Sequence, residues 1–519
     1  MAFFVASCIF MVLLFVGPAA AFGPMPQPLP SEGQLFVQEL GLSQFMHFSV
    51  NPFSESTQHN CVNGTGVDAP PCLPAALFNP TNLSTDQWVE TAVAFGAKEI
   101  CLTAHHEGGF ALWDTAYTNY SVMHSPYGKD VVAQFVKSCA KHNVKPCYYF
   151  PPNANGWLMT HNASREEFER VQMGQMTELL TKYDPPPSRL WWDHYGDDGT
   201  EHCWEPGTPK IGPNPVLCPY GTFPADWKRF IALARKLSPT TMLCPGPDCV
   251  SGYQHVGFPP YPVWLPCNEK NGKGMGCTLK DHEMPGSANL KPAQQTFGAL
   301  TYSGSMHQGW FCNGDCLQGK FWNATRIWQT YVAIVGIGRT ATLNAPPGTT
   351  GQIVPELADA MAQFGRKMKE LMKPVTPSAI KYNLTSTTCD NTVVGELDLS
   401  TNGGASEYLI NAIMTKEDLA RGQRITSYAL DYQEGEGPST SWIPFKLGNF
   451  SGPNNVAAEG VHGLSVGARI IDFVPPTRAT KVRFRCLSAA GGNAYLSSFS
   501  AHSGCDAVGS CFKTQTQKA

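Results

Sequence analysis

The chain has 519 residues, 42% of them hydrophobic and 15% charged, too many for one compact core, so two domains plus processing segments are expected. A formal net charge of −4, without a long basic run, argues against a nucleic-acid partner. Beyond the apolar amino terminus no stretch approaches the roughly 20 apolar residues of a spanning helix, so no membrane partner is expected after processing.

In chain order, "MAFFVASCIFMVLLFVGPAAAFG" opens the sequence as an apolar run ending in Ala19-Ala20-Ala21. It reads as a secretory signal peptide over 1–21, cut before Phe22, and directs the protein outside the cell or to a lysosome or vacuole. The 18 cysteines agree with an oxidising compartment. Local pairing is expected for Cys61 with Cys72, Cys203 with Cys218, Cys244 with Cys249, Cys267 with Cys277, Cys312 with Cys316, and Cys505 with Cys511. Cys101 and Cys147, inside apolar runs, read as buried free thiols. Asn-x-Ser/Thr sequons at Asn63, Asn82, Asn119, Asn162, Asn323, Asn383 and Asn449 fit export.

From Phe45 to about Met372 apolar strands alternate with amphipathic helices. "FMHFSV", "EICLTA", "KPCYYF", "RLWWD" and "TTMLCPG" read as strands one to five. Between them "TDQWVETAVAFG", "DVVAQFVKSCAKHN", "SREEFERVQMGQMTELLTKY" and "PADWKRFIALARKLS" read as helices, the third opened by Ser164 and Glu167 at capping-box spacing. Near-continuous apolar strands indicate a parallel sheet covered on both faces. Residues 245–320, rich in Gly, Pro and Cys, read as long loops before helical pattern returns. No glycine-rich nucleotide fingerprint follows the first strand, which favours a TIM-like (β/α) barrel over an open doubly wound sheet. Pro374 marks the expected boundary: a barrel domain over 22–374, then a β-sandwich with a polar tail over 375–519.

In such barrels the chemistry stands at the C-terminal ends of strands. There the sequence places His47 on strand one, His105, His106 and Glu107 after strand two, Tyr149 on strand three and Asp193 on strand four. A carboxylate ending a strand is often a helix cap or a turn former. Polar groups recurring at the same end of four strands point instead to a shared pocket. Trp113, Tyr149, Trp191, Trp192 and Trp310 add aromatic faces, the usual partners of the apolar faces of sugars, while a rigid carboxylate can attack an anomeric carbon. Of Trp191 and Trp192, one must point into packing, because strand neighbours face opposite sides. No second Cys/His pair at zinc spacing accompanies Cys312 and Cys316, so no metal site is expected there.

"FMHFSVNPF", "EICLTAHHEGGFALWDTAYTNYSV", "KPCYYF", "LLTKYDPPPSRLWWD", "HQGWF" and "GRTATLNAPP" together resemble the ordered blocks of the α-L-fucosidases of glycoside hydrolase family 29. "AIMTKEDLARGQRITSYALD" is similar to the start of that family's β-sandwich. The resemblance implies a retaining exo-glycosidase that releases terminal α-L-fucose from glycans, needing no cofactor. It implies Asp193 as nucleophile, with His47, His106 and Tyr149 on the sugar hydroxyls and Trp310 beside the ring. There are departures. The family's Lys-His-His-Asp-Gly-Phe run is matched ungapped with His105 under the Lys and Glu107 under the second His. Where a Glu follows the family's "GPD" block, this chain has His255. Glu283 is the first substitute for the acid/base, His255 the alternative, and Glu107 and Asp248 come after. A lectin-like member that binds fucose without cleaving it is the rival reading.

Overall fold

The structure, a computed structural model, describes residues 29–54, 72–161, 163–193, 226–244, 247–253, 299–307, 309–313, 316, 319–371, 373–375, 387–399, 407–435, 441–445, 466–489, 492–505, 509 and 511. The signal segment, His255, Glu283 and the sequons at Asn63, Asn162, Asn383 and Asn449 lie outside them.

Eight strands, β1 (Leu42–Met46), β2 (Glu99–Thr103), β3 (Lys145–Tyr149), β4 (Arg189–Trp191), β5 (Met242–Leu243), β6 (Cys249–Tyr253), β7 (Ala299–Ser305) and β8 (Thr340–Asn344), form one parallel sheet. Their order is β5-β4-β3-β2-β1-β8-β7-β6. Consecutive strands are neighbours and β1 pairs with both β2 and β8, which is the cyclic order of a TIM-like barrel. Among the described residues no ladder joins β5 to β6. The Asp248 side chain spans the break, accepting from the Leu243 amide at 2.7 Å and pairing with Arg235. Both carboxylate oxygens of Asp248 are thereby engaged, so this fourth acid/base candidate holds the barrel seam. Two of the strands, β6 and β7, fall where loops were expected. β7, "ALTYSGS", alternates small and polar residues and lacks the apolar run that betrays the others.

Helices α1 (Glu32–Glu39), α2 (Thr85–Phe95), α3 (Val131–Lys141), α4 (Gly156–Thr160), α5 (Arg165–Thr181), α6 (Trp227–Leu237), α7 (Ala324–Ile334) and α8 (Pro355–Leu371) accompany the sheet. None of the described helices is long and apolar enough to cross a membrane. Local chemistry sets their starts. Ser84 accepts from the Gln87 amide, Asp130 from Ala133 and Ser164 from Glu167. The capping box at Ser164 is only half formed, because the Glu167 carboxylate pairs with Arg170 instead.

Alternation along each strand sorts side chains into two cores. Ile100, Leu102, Leu190 and Trp192 face outward to the helices. The odd-numbered residues of β1 to β4 face the barrel axis in layers. The lowest holds Ser43, Glu99, Arg189 and Thr342, joined by hydrogen bonds. Above it Phe45, Cys101, Cys147 and Trp191 cluster. Cys101 and Cys147 are register partners on adjacent strands and form a disulfide, correcting the expectation of two free thiols. Cys312–Cys316 and Cys505–Cys511 are bonded as expected, and Cys72 and Cys244 are also in disulfides. The remaining expected pairs rest on side chains outside the described residues.

The C-terminal region is antiparallel. It comprises β9 (Thr387–Thr388), β10 (Thr392–Asp398), β11 (Tyr408–Glu417), β12 (Ile425–Gln433), β13 (Ile443–Pro444), β14 (Ile470–Ala479), β15 (Lys481–Ala489), β16 (Asn493–Ala494) and β17 (Leu496–His502). Sheets β10-β15-β12-β13 and β14-β11-β17 enclose a core that includes Ile410, Tyr428, Phe484 and Phe499. A Cys389–Cys486 disulfide, between residues 97 apart in sequence, tethers this region. Ile471 and Phe473 of β14 pack on the barrel core.

Candidate active site

The inward row of β4 runs Arg189, Trp191, Asp193, so the period of two carries the carboxylate to the barrel axis just past the strand end. There Tyr149, the last residue of β3, donates its hydroxyl to Asp193 Oδ2 at 3.0 Å. The Tyr149 ring stacks on His106, with centroids 5.1 Å and planes 9° apart. His106 comes from the loop after β2, which turns through Gly109 at φ +84°. A Cβ on Gly109 would strike the Asn155 amide, so both the backbone and the space require glycine. His47 lies one residue past β1, 5.5 Å from the His106 ring and 5.9 Å from Tyr149. Trp310 stacks on its other side at 4.8 Å, and Phe311 meets both histidines edge-on.

Asn344, the last residue of β8, ties this cluster together. Its Oδ1 accepts from the His47 amide at 3.2 Å and contacts His47 Nδ1 at 3.0 Å. Its Nδ2 donates to Ser305 Oγ at 3.0 Å and to the Trp310 carbonyl at 2.7 Å. One amide therefore anchors β1, β7, β8 and the Trp310 loop. In the sequence Asn344 lies within "GRTATLNAPP", without a motif of its own. Its signal was only an asparagine at the same strand end as the other polar groups.

Burial, followed by the nearby positive charge of His106 when protonated, holds His47 well below the ordinary histidine range. Burial also lowers His105, to about 4. Both imidazoles are therefore neutral near pH 7. His105 does not join the ring cluster around His47. It contacts Phe150 at 4.7 Å and lies parallel to Trp113 at 6.3 Å. Trp113 is fully buried in the helix-side core, its Nε1 donating to Glu178 of α5 at 2.9 Å. Glu107, next to His106 in the same loop, is nearly buried, and its carbonyl accepts from the amide of Gly156, the first residue of α4. The structure thus brings together His47, His106, Tyr149, Asp193 and Trp310. It sets His105 and Trp113 one layer outward.

A carboxylate held by a phenol, beside two imidazoles and stacked aromatic walls, can receive one polyhydroxylated ring. Among the described residues no group of three or more His, Cys, Asp or Glu is arranged to hold a metal ion.

The α-L-fucosidase family model matches residues 47–245, from His47 through β5. α-L-Fucosidase 1 of Arabidopsis thaliana is 26% identical over 431 residues, covering 78% of this chain and 77% of that protein. A relative from Oryza sativa subsp. japonica is 26% identical over 469 residues, covering 88% of this chain and 78% of that one. A GH29 fucosidase of Ruminococcus gnavus, solved in complex with fucose, shares the fold with a TM-score of 0.68. It is 17% identical and covers 94% of this chain and 98% of its own. The family model and the two plant relatives point the same way: over the barrel region the chain is similar to the α-L-fucosidases.

Proposed function

We propose that this protein is an exported, retaining exo-α-L-fucosidase acting on the terminal fucose of glycans. The observation that carries the reading is Asp193 at the inward end of β4, held by Tyr149 inside a ring of His47, His106 and Trp310. In the first step a carboxylate oxygen of Asp193 bonds to the anomeric carbon while the bond to the leaving oxygen breaks. An acid group protonates that oxygen. In the second step the same group, now a base, takes a proton from water. The water oxygen displaces Asp193, so fucose leaves with its α configuration retained. Tyr149 orients the nucleophile through Oδ2, while His47, His106 and Glu107 are assigned to sugar hydroxyls and Trp310 to the ring face. Glu283 is the first candidate for the acid/base and His255 the alternative.

Export is supported by the apolar run over 1–21 and by the disulfides. The proposed division into a barrel over 22–374 and a sandwich over 375–519 is supported by α8 ending at Leu371 and by the separate core of the C-terminal sheets.

The test is release of 4-nitrophenol from 4-nitrophenyl α-L-fucoside by the wild type and by Asp193→Ala. Turnover lost in the variant and restored by azide, with a fucosyl azide of inverted configuration, supports the nucleophile. A folded wild type that binds L-fucose without turnover supports the lectin-like rival.

A further inference from the structure

We propose that Asn344 is a positioning residue that fixes His47 as its Nδ1–H tautomer, making Nε2 a hydrogen-bond acceptor that selects a hydroxyl of the bound sugar. This rests on the sugar-site reading above. The orientation of the Asn344 amide follows from its partners. The Trp310 carbonyl can only accept and the His47 backbone N–H can only donate, so the NH2 faces Trp310 and the oxygen faces His47. An amide oxygen cannot donate, so the 3.0 Å contact to His47 Nδ1 requires the proton on Nδ1. A neutral imidazole carries one proton, and Nε2 is left with its lone pair. No described residue bonds Nε2.

The same amide holds the Trp310 carbonyl at 2.7 Å, and the Trp310 ring lies 4.8 Å from the His47 ring. Tautomer and aromatic wall are therefore set by one side chain at the end of β8. An acceptor at this place favours a group that donates. A hydroxyl satisfies it, whereas fluorine at the same carbon does not, and a ring presenting no hydroxyl there leaves a buried acceptor unpaired. Such mismatches cost about tenfold or more in affinity or rate.

Two experiments test this. In the first, 15N-histidine-labelled protein is examined by imidazole NMR at neutral pH. His47, assigned through the His47→Ala spectrum, is expected as the neutral Nδ1–H form in the wild type, with the proton moving toward Nε2 in Asn344→Leu. A wild-type His47 protonated on Nε2 overturns the proposal without touching the fucosidase reading. In the second, kcat/KM is measured for nitrophenyl α-L-fucosides bearing a single fluorine in place of each ring hydroxyl in turn. Fluorine also slows the chemistry inductively in all three proteins, so the difference is read: at one position the wild-type loss is expected to exceed that of both His47→Ala and Asn344→Leu by about tenfold. An Asn344→Leu protein that is folded but retains the wild-type fluorine penalty at every position shows a merely structural asparagine and overturns the proposal. If the wild type turns over no fucoside, the comparison is repeated as binding of L-fucose and its monofluoro analogues. If none of these binds, the sugar-site reading falls and the inference with it.

Discussion

Replacing Glu99 by Gln should destabilise the barrel by about 3–5 kcal/mol, the cost of stranding one member of a buried ion pair. Glu99 and Arg189 are both fully buried, with Arg189 Nη2 2.6 Å from Glu99 Oε1. Ser43 donates to Oε1 at 2.8 Å and Ser188 to Oε2 at 2.6 Å. The guanidinium in turn reaches Ser43 and Thr342 and lies 5.0 Å from the Trp191 ring. Glutamine keeps the shape but removes the charge, and its NH2 cannot accept from either serine or from the guanidinium. Arg189 is then a cation in a closed layer, without bulk water to solvate it. The pair itself adds little net stability, because desolvation of two charges offsets their attraction. Glu99→Leu combined with Arg189→Met should therefore lie within about 2 kcal/mol of the wild type. Urea unfolding followed by tryptophan fluorescence measures all three proteins, with Trp191 and Trp192 as nearby reporters. A Glu99→Gln protein within about 1 kcal/mol of the wild type would refute the reasoning, as would a double variant as unstable as the sum of the singles.

Tyr149→Phe keeps the ring on His106 but deletes the bond to Asp193, worth about 1.5–3 kcal/mol for a charged acceptor. The expected loss in kcat/KM is about tenfold to a hundredfold with an unchanged circular dichroism spectrum. Trp310→Ala removes the stacked wall from His47 and should raise KM for fucosides several-fold, about the 0.5–1.5 kcal/mol of an aromatic contact. In the sandwich, burial lifts Asp472 from its ordinary 3.8 to about 7 and Glu417 from 4.5 to about 7. A carboxyl raised by folding holds its proton more tightly when folded. Its contribution is therefore full below the unfolded value and is lost as pH rises toward about 7. Hydrogen exchange of β12 and β14 should accordingly be slower at about pH 5 than at about pH 8 after correction for intrinsic rates, and Asp472→Asn should flatten that difference.

Much of the barrel is legible because its strands are apolar on both faces and its helices amphipathic. The period of two along β4 then sends Asp193 inward and Trp192 outward. Lateral register is not legible from a single strand. Cys101 and Cys147 are 46 residues apart and meet only because β2 and β3 align. Cys389 and Cys486 escape for the same reason at a separation of 97. Glu99 and Arg189 look like the polar starts of strands until the barrel closes over them. Trp113 looks like a sugar platform because it follows the His106 loop, yet its indole N–H is already committed to Glu178. Asn344 is hidden by its chemistry: an asparagine before Ala-Pro-Pro carries no mark of a tether, and only the fold shows three strands converging on its amide.

The most direct measurement is covalent trapping with 2-deoxy-2-fluoro-L-fucosyl fluoride, followed by peptide mapping by mass spectrometry. Fluorine at C2 slows both steps, and the good leaving group restores the first, so the fucosyl-enzyme accumulates. A single fluorofucosyl adduct on Asp193, absent from Asp193→Ala, is the predicted result. An adduct on another carboxylate, or undiminished turnover of 4-nitrophenyl α-L-fucoside by Asp193→Ala, would contradict it.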